Sequence, residues 1–351
     1  MSKFHALTIK EIKKETSDAV SILFDIPNEL KEAFKFVAGQ YINIKKNIAG
    51  TELRRAYSIC SAPNSGELRI ALKAVDNGAF SVFATTILKE GDILDVSKPE
   101  GKFVLETDSA TTKNYLGIVA GSGITPIMSM IKAVITEEPN STFTLIYGNK
   151  TTADTIFKDE IILLQNTYPA QFKVQYVISR EKNEAAIFGR IDKGNLNFIL
   201  KNKFKNTSFD AAFLCGPATM IQTAKKTLTE NGLDENSIHF ELFTPPVISE
   251  SEVHIDFEGT CDIMVILDDE ETTFEMDTKT TILTAALKEG LDAPYSCQGG
   301  ICSSCLAKVT AGNAVMEKNS ILSDAEIKDG FILTCQAHPT TQKITIDYDN
   351  V

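Results

Sequence analysis

Three cysteines stand at C-x4-C-x2-C spacing in Cys297-Gln298-Gly299-Gly300-Ile301-Cys302-Ser303-Ser304-Cys305, and Cys335 follows thirty residues later. That spacing with a distant fourth thiolate is the plant-type ligand set for a [2Fe–2S] cluster. Gly299 and Gly300 are expected to let the loop wrap closely and aim backbone N–H groups at sulfur. A zinc site prefers two short cysteine or histidine pairs, and only one short pair is present. A Rieske centre needs two histidines near cysteines, and His5, His239, His254 and His338 do not supply that pattern. A one-electron centre therefore constrains what the remaining residues must do.

A chain of 351 residues is long enough for two or three domains. No apolar run reaches the length needed to span a bilayer, so no membrane role is expected. The amino-terminal residues show no secretory pattern. Seven cysteines, four of them assigned to iron, argue for a reducing cytoplasm and against a disulfide framework. Of the formal net charge of −12, residues 253–351 carry −11. An acidic module on a nearly neutral body excludes nucleic acid as an expected partner. It suits either plain solubility or steering toward an electron-accepting protein with a basic docking surface.

Three domains are expected. Residues 1–110 hold short apolar stretches at 6–10, 20–25, 41–45, 68–74 and 93–97 between Gly, Pro and Asn turns, the pattern of an antiparallel β-barrel. Residues 111–244 alternate buried-strand runs (115–120, 143–147, 172–178, 211–215, 238–243) with helical patterns (126–137, 154–166, 193–204, 218–231). That alternation predicts a doubly wound α/β domain. Two prolines and a polar stretch over 245–252 read as a linker. Residues 253–351 give paired strands at 254–257 and 264–267, a helix at 282–289, the cysteine loop and a strand at 343–348, a β-grasp outline.

Two nucleotide sites are suggested. In Arg55-Ala56-Tyr57-Ser58 the guanidinium suits a pyrophosphate, the tyrosine on the same strand face offers a stacking surface, and the serine hydroxyl lies on the opposite phase. About twenty residues on, Gly78-Ala79-Phe80-Ser81 opens a helix whose amides suit a second phosphate, so the barrel is expected to bind FAD. In the α/β domain Gly121-Ser122-Gly123-Ile124-Thr125-Pro126 follows the first strand, with Pro126 placed at the first helical position. The third fingerprint glycine is replaced, so that motif alone is weak. Cys215-Gly216-Pro217 at the end of the fourth strand supports it. The second strand ends in Gly148-Asn149-Lys150 without a carboxylate and the third in Ser179-Arg180, which favours NADPH over NADH.

With these motifs in this order, the chain resembles the ferredoxin–NADP reductase superfamily fused to a carboxyl-terminal plant-type ferredoxin. It is similar to the reductases of bacterial oxygenases, those of phenylacetyl-CoA epoxygenase complexes among them. The resemblance covers nearly the whole chain and implies an oxidoreductase passing electrons from NADPH through FAD and the cluster to an oxygenase component. It implies that Arg55 holds FAD phosphate, Tyr57 packs on the flavin, Ser58 faces flavin N5, and Ala71, Leu72 and Lys73 line the FAD. Ser122, Thr125 and Cys215 would meet the nicotinamide, Ser179 and Arg180 the 2′-phosphate. Phe243 falls where the family covers the flavin with an aromatic ring, although the chain here continues beyond it. Catalytic roles thus fall to Ser58, Cys215 and Phe243. Another acceptor (hybrid-cluster protein, a ring-hydroxylating oxygenase, a free ferredoxin) would leave the same residues, and a non-enzymatic redox sensor would differ in lacking a competent nicotinamide site.

Overall fold

Alternating apolar residues in the first hundred positions build one antiparallel sheet. Its strands β1 (His5–Lys14), β2 (Ala19–Asp25), β3 (Tyr41–Ile48), β4 (Thr51–Ser58), β5 (Leu68–Lys73) and β6 (Ile93–Val96) run in the order β4-β3-β6-β1-β2-β5. Ile59, just past β4, bridges Ile70 of β5, so the two ends of the sheet meet and form the expected barrel. Leu7, Ile9, Ile22, Ile42, Ile44, Leu68 and Ile70 fill it. The apolar pattern does not announce β4, because charged Glu52, Arg54 and Arg55 interrupt it. Its register comes instead from a two-residue turn, Ala49 and Gly50 at φ 51° and 84°, which pairs Ile48 with Thr51. Helix α1 (Ala79–Thr86) follows β5.

The computed structural model describes residues 4–243 and 259–351; the expected linker 245–252 and the strand expected at 254–257 lie outside the described residues. The described residues divide into two compact units, Phe4–Phe243 and 259–351.

Within the first unit, β7 (Asn114–Ala120), β8 (Thr142–Asn149), β9 (Phe172–Ile178), β10 (Ala186–Phe188), β11 (Ala211–Cys215) and β12 (Ile238–Glu241) form an all-parallel sheet in the order β10-β9-β8-β7-β11-β12. Crossovers run through α2 (Ile124–Glu137), α3 (Lys158–Thr167), α4 (Lys193–Phe198, continued by a π-turn to Lys203) and α5 (Ala218–Glu230). The chain moves outward from β7 to β9, then returns to β11 on the other side of β7. The switch point therefore lies between β7 and β11, where open α/β sheets leave a crevice. Helix α2 is buried nearly all round because it lies between the sheet and the barrel. Helix α3 starts later than its pattern predicts: Thr151 Oγ1 donates to Asp154 Oδ2 at 2.8 Å and Phe157 takes φ 58°, so the local turn wins over helix. The short β10 carries no pattern long enough to read.

In the second unit β13 (Thr260–Leu267), β14 (Glu270–Asp277), β15 (Leu306–Ala311), β17 (Phe331–Leu333) and β19 (Lys343–Asp347) order as β14-β13-β19-β15-β17, with β13 and β19 parallel. A second small sheet joins β16 (Ala314–Met316) to β18 (Ala337–Pro339), and α6 (Ile282–Lys288) and α7 (Asp324–Lys328) complete the β-grasp. The hairpin partner of β13 in the described residues is β14, across Asp268 and Asp269 at φ 59° and 61°. Acidic residues at Glu270, Glu271 and Glu275 hide this strand from an apolar-pattern reading. Among the described residues no helix is long and apolar enough to cross a membrane.

Candidate functional site

On the barrel, alternation along β4 separates two neighbouring arginines. Arg54 is buried and pairs with Glu52 at 3.0 Å, whereas the Arg55 side chain is exposed. Tyr57, two residues on, packs its ring 5.6 Å from Phe80 at 36°, which ties the strand to α1. Gly78 caps α1 without any side-chain hydrogen bond, so the first N–H groups of the helix stay available to an anion. A Cβ at Gly78 would lie 2.3 Å from Ser81 Oγ, and the Ser81 hydroxyl itself donates to Gly78 O and accepts from Val75 N. Ala79 begins the helix and Phe80 is buried beneath it. On β5 the Leu72 side chain is 1% exposed and belongs to the barrel core, so it offers a ligand backbone alone. Ala71 is buried on the opposite face, and Lys73 is held by Asp18 at 3.2 Å.

The two loops named from the sequence meet at the switch point. Gly121, at φ 55°, has open space where a side chain would project, and Ser122 follows it, half-buried. A Cβ at Gly123 would lie 2.3 Å from Cys215 O, so backbone contact between the two loops requires glycine. Thr125 is buried and its hydroxyl donates to Ser122 O at 3.1 Å, closing the turn. Pro126 is not the first helical residue as expected: α2 begins at Ile124 after a 3-10 turn over Gly121–Gly123. Proline is tolerated there because the first-turn N–H is unpaired in any helix. Gly216 and Pro217 lead from β11 into α5.

Adjacent strands bring a third group to this point. Cys215 and Glu241 pair in register across β11 and β12. Ser58 Oγ donates to Glu241 Oε2 at 3.3 Å. Burial pushes the Glu241 carboxyl up to about 8, against a weaker opposite pull from Ser58. Burial also raises the Cys215 thiol well above its ordinary range, and the neighbouring Glu241 adds to it. Glu241 was not singled out from the sequence; its signal was an acid at the carboxyl end of a parallel strand, the edge where such sheets bind ligands. Phe243 is 40% exposed and lies two residues beyond.

At the far end of the same edge, Ser179 N and Oγ both donate to Asn149 O, at 3.0 and 3.3 Å, and Arg180 N donates to Lys150 O. The Arg180 side chain is exposed. Glu181, the nearest acid, is engaged elsewhere: its carboxylate accepts from Thr152 N at 2.9 Å and Thr152 Oγ1 at 3.1 Å.

In the second unit the four cysteines gather from the 297–305 loop and the segment after β17. No three His, Cys, Asp or Glu groups among the described residues converge as a single-ion site would require. The sulfurs come instead as two pairs. Cys302 Sγ lies 3.1 Å from Cys297 Sγ, and Cys305 and Cys335 are close enough to shift each other's titration. The Cys302 thiol and the amides of Gly299, Ile301 and Cys302 hold Cys297 down to about 6, and Cys305 likewise lowers Cys335. The other sulfur of each pair, Cys302 and Cys305, is pushed up by its partner and by burial, so it is the pairing of the four sulfurs that suits two irons. Gly300 needs its φ of 71°, as expected; Gly299 is not in that region, and Gln298 at φ 49° takes the second left-handed position. A Cβ on Gly300 would lie 2.7 Å from Lys318 O, and Gln336 Nε2 braces the loop through Gln298 O at 3.0 Å. Ser296, beside Cys297, buries a hydroxyl with no protein partner, as suits a donor to cluster sulfur.

Residues 6–105 match the family described as an oxidoreductase FAD-binding domain, residues 118–226 the oxidoreductase NAD-binding domain, and residues 265–340 the 2Fe-2S iron-sulfur cluster binding domain. The chain is 37% identical over 353 residues to one of the subunits of the 1,2-phenylacetyl-CoA epoxidase of Escherichia coli (strain K12), covering 99% of each. The chain belongs to the ferredoxin–NADP reductase superfamily, in its form fused to a plant-type ferredoxin. It is also 29% identical over 351 residues to the ferredoxin reductase component of 3-ketosteroid-9-alpha-monooxygenase of Rhodococcus rhodochrous, covering 97% of this chain and 96% of that one. Its fold is that of phthalate dioxygenase reductase, with a TM-score of 0.60, 23% identity and 98% of each chain covered. As a member of this superfamily it is an NAD(P)H-dependent electron-transfer oxidoreductase that uses FAD, a [2Fe–2S] cluster and a pyridine nucleotide. When bound, FAD would supply conversion of a hydride's two electrons into single electrons, and the cluster would accept them one at a time.

Proposed function

We propose that the protein draws electrons from NADPH and delivers them to an oxygenase component, an epoxidase acting on phenylacetyl-CoA being the acceptor its E. coli relative suggests. The chain's own residues divide the work. Arg55 and the first amides of α1 would neutralise the two FAD phosphates, and Tyr57 would pack on the ring system. Ser58, whose single hydroxyl proton points to Glu241 here, would turn that proton to flavin N5 and accept in its place from the Glu241 carboxyl, which burial favours in its protonated form. Ala71 and Lys73 would line the cofactor, with Leu72 contributing backbone. Ser122, Thr125 and Cys215 would fix the nicotinamide over the flavin, and Phe243 would exclude water from the flavin face. Cys297, Cys302, Cys305 and Cys335 would hold the cluster.

The preference for NADPH rests on one observation above the others. At the nucleotide edge Arg180 is exposed, as are its neighbours Lys150 and Lys182, and the adjoining carboxylate, Glu181, is turned onto Thr152. A 2′-phosphate is favoured by such a site, and a ribose diol finds no acid there. Replacing Arg180→Ala should lower kcat/KM for NADPH about 10- to 100-fold, the worth of a charge-assisted hydrogen bond, and leave NADH nearly unchanged. Equal losses for the two nucleotides would contradict the preference. The acceptor is expected to present a basic surface, since residues 253–351 carry a net charge of −11.

A further inference from the structure

Tyr348 follows β19 and is 6% exposed. Its backbone is fixed by Tyr348 N donating to Ile266 O on β13 at 3.0 Å. Its hydroxyl donates to Thr334 Oγ1 at 3.0 Å. Thr334 is fully buried and directly precedes Cys335. The hydroxyl and the N–H of Thr334 both donate to Cys305 O, each at 3.0 Å, and its carbonyl accepts from Leu283 N in α6. The series Tyr348, Thr334, Cys305 therefore ends on the backbone of one sulfur ligand and passes through the covalent neighbour of another. Those two ligands, Cys305 and Cys335, form one of the two sulfur pairs.

We propose that Tyr348 is a positioning residue for the cluster: through Thr334 it holds the Cys305/Cys335 half in place and raises its reduction potential. Packing alone would accept phenylalanine here, and a buried hydroxyl is unfavourable unless it makes its hydrogen bond. Both O–H dipoles in the series point the same way, with the hydrogen ends toward Cys305, and each polarises the next. Positive ends aimed at the ligand favour the extra negative charge of the reduced cluster. Hydrogen bonding around the sulfurs is one of the levers by which proteins set this potential. The inference rests on the [2Fe–2S] cluster being the group this loop holds.

Its test uses the full chain carrying FAD and cluster, as Tyr348→Phe, Thr334→Val and the double variant. Tyr348→Phe should shift the cluster potential to more negative values, alter the electron paramagnetic resonance g values of the reduced cluster, and release iron to a chelator several-fold faster. Flavin content and the rate of flavin reduction by nucleotide should stay at the wild-type level. Thr334→Val should produce a shift of the same sign, and adding Tyr348→Phe to it should produce no further shift, because the tyrosine acts through the threonine. A Tyr348→Phe chain with wild-type potential and g values would overturn the proposal, even if its melting temperature fell as a packing role predicts. Additive shifts in the double variant would overturn the relay through Thr334. A wild-type chain unable to hold iron would overturn both this inference and the cluster assignment, and that failure is visible before any variant is made.

Discussion

At the scale of single residues, the proposed chemistry concentrates on Ser58, Cys215 and Glu241. Strand pairing fixes Glu241 beside Cys215, and the barrel supplies Ser58 from the other side. Ser58→Ala should reduce the rate constant for flavin reduction about 10- to 100-fold in stopped-flow measurements, the worth of one hydrogen bond to a group that gains charge. The dissociation constant for nucleotide should change little. Glu241 also ties stability to pH. Its folded value of about 8 stands above the ordinary carboxylate value of 4.5, so between these limits the folded chain holds a proton that the unfolded chain releases. That stabilisation is fully present below 4.5 and is lost as pH rises through 8. Melting temperature should therefore fall more steeply between those limits in the wild type than in Glu241→Gln, and parallel curves would show that Glu241 titrates normally.

At the scale of elements, the decisive feature is contact between two loops and one helix. Gly123 lets the β7 loop touch the β11 loop, and α2 runs from that loop to the barrel. Ser129 on α2 donates to Ser61 O at 2.7 Å and Lys132 to Cys60 O at 3.0 Å, only a few residues beyond Ser58. One rigid helix thus links the nucleotide loop to the strand carrying Ser58. Gly123→Ala would drive a methyl group into Cys215 O, so nucleotide-induced absorbance changes should weaken at least tenfold while FAD stays bound. Unchanged titrations would mean that the loops need no such contact. Much of this was legible in the sequence. The cysteine spacing, the strand–helix alternation and the glycine loops each follow from short-range rules with strong periodic or spacing signals. What was hidden depended on strand pairing rather than on apolar pattern. Strand β4 is held by its hairpin turn, β14 by pairing with β13 despite its acids, and Glu241 acquires its character from strands far away in sequence.

At the scale of the whole molecule, charge is segregated: residues 253–351 hold a net −11 of the chain's −12. Long-range attraction between this module and a basic acceptor is screened over about 8 Å at physiological ionic strength. Second-order rates of electron delivery to the acceptor should therefore fall steeply as salt rises from low to physiological levels, whereas reduction of the protein's own cluster at saturating nucleotide should change little. A salt-independent rate to the acceptor would leave the acidic surface with a solubilising role.

On the proposed function, electrons pass from nucleotide to flavin to cluster within one chain. Anaerobic addition of NADPH, followed by optical absorbance and electron paramagnetic resonance together, tests it most directly. In the wild type the flavin should bleach and a reduced-cluster signal should follow; in Cys335→Ser the flavin should bleach at the same rate with no such signal. Flavin bleaching in the wild type with a cluster that stays oxidised, or a variant indistinguishable from it, would contradict the account.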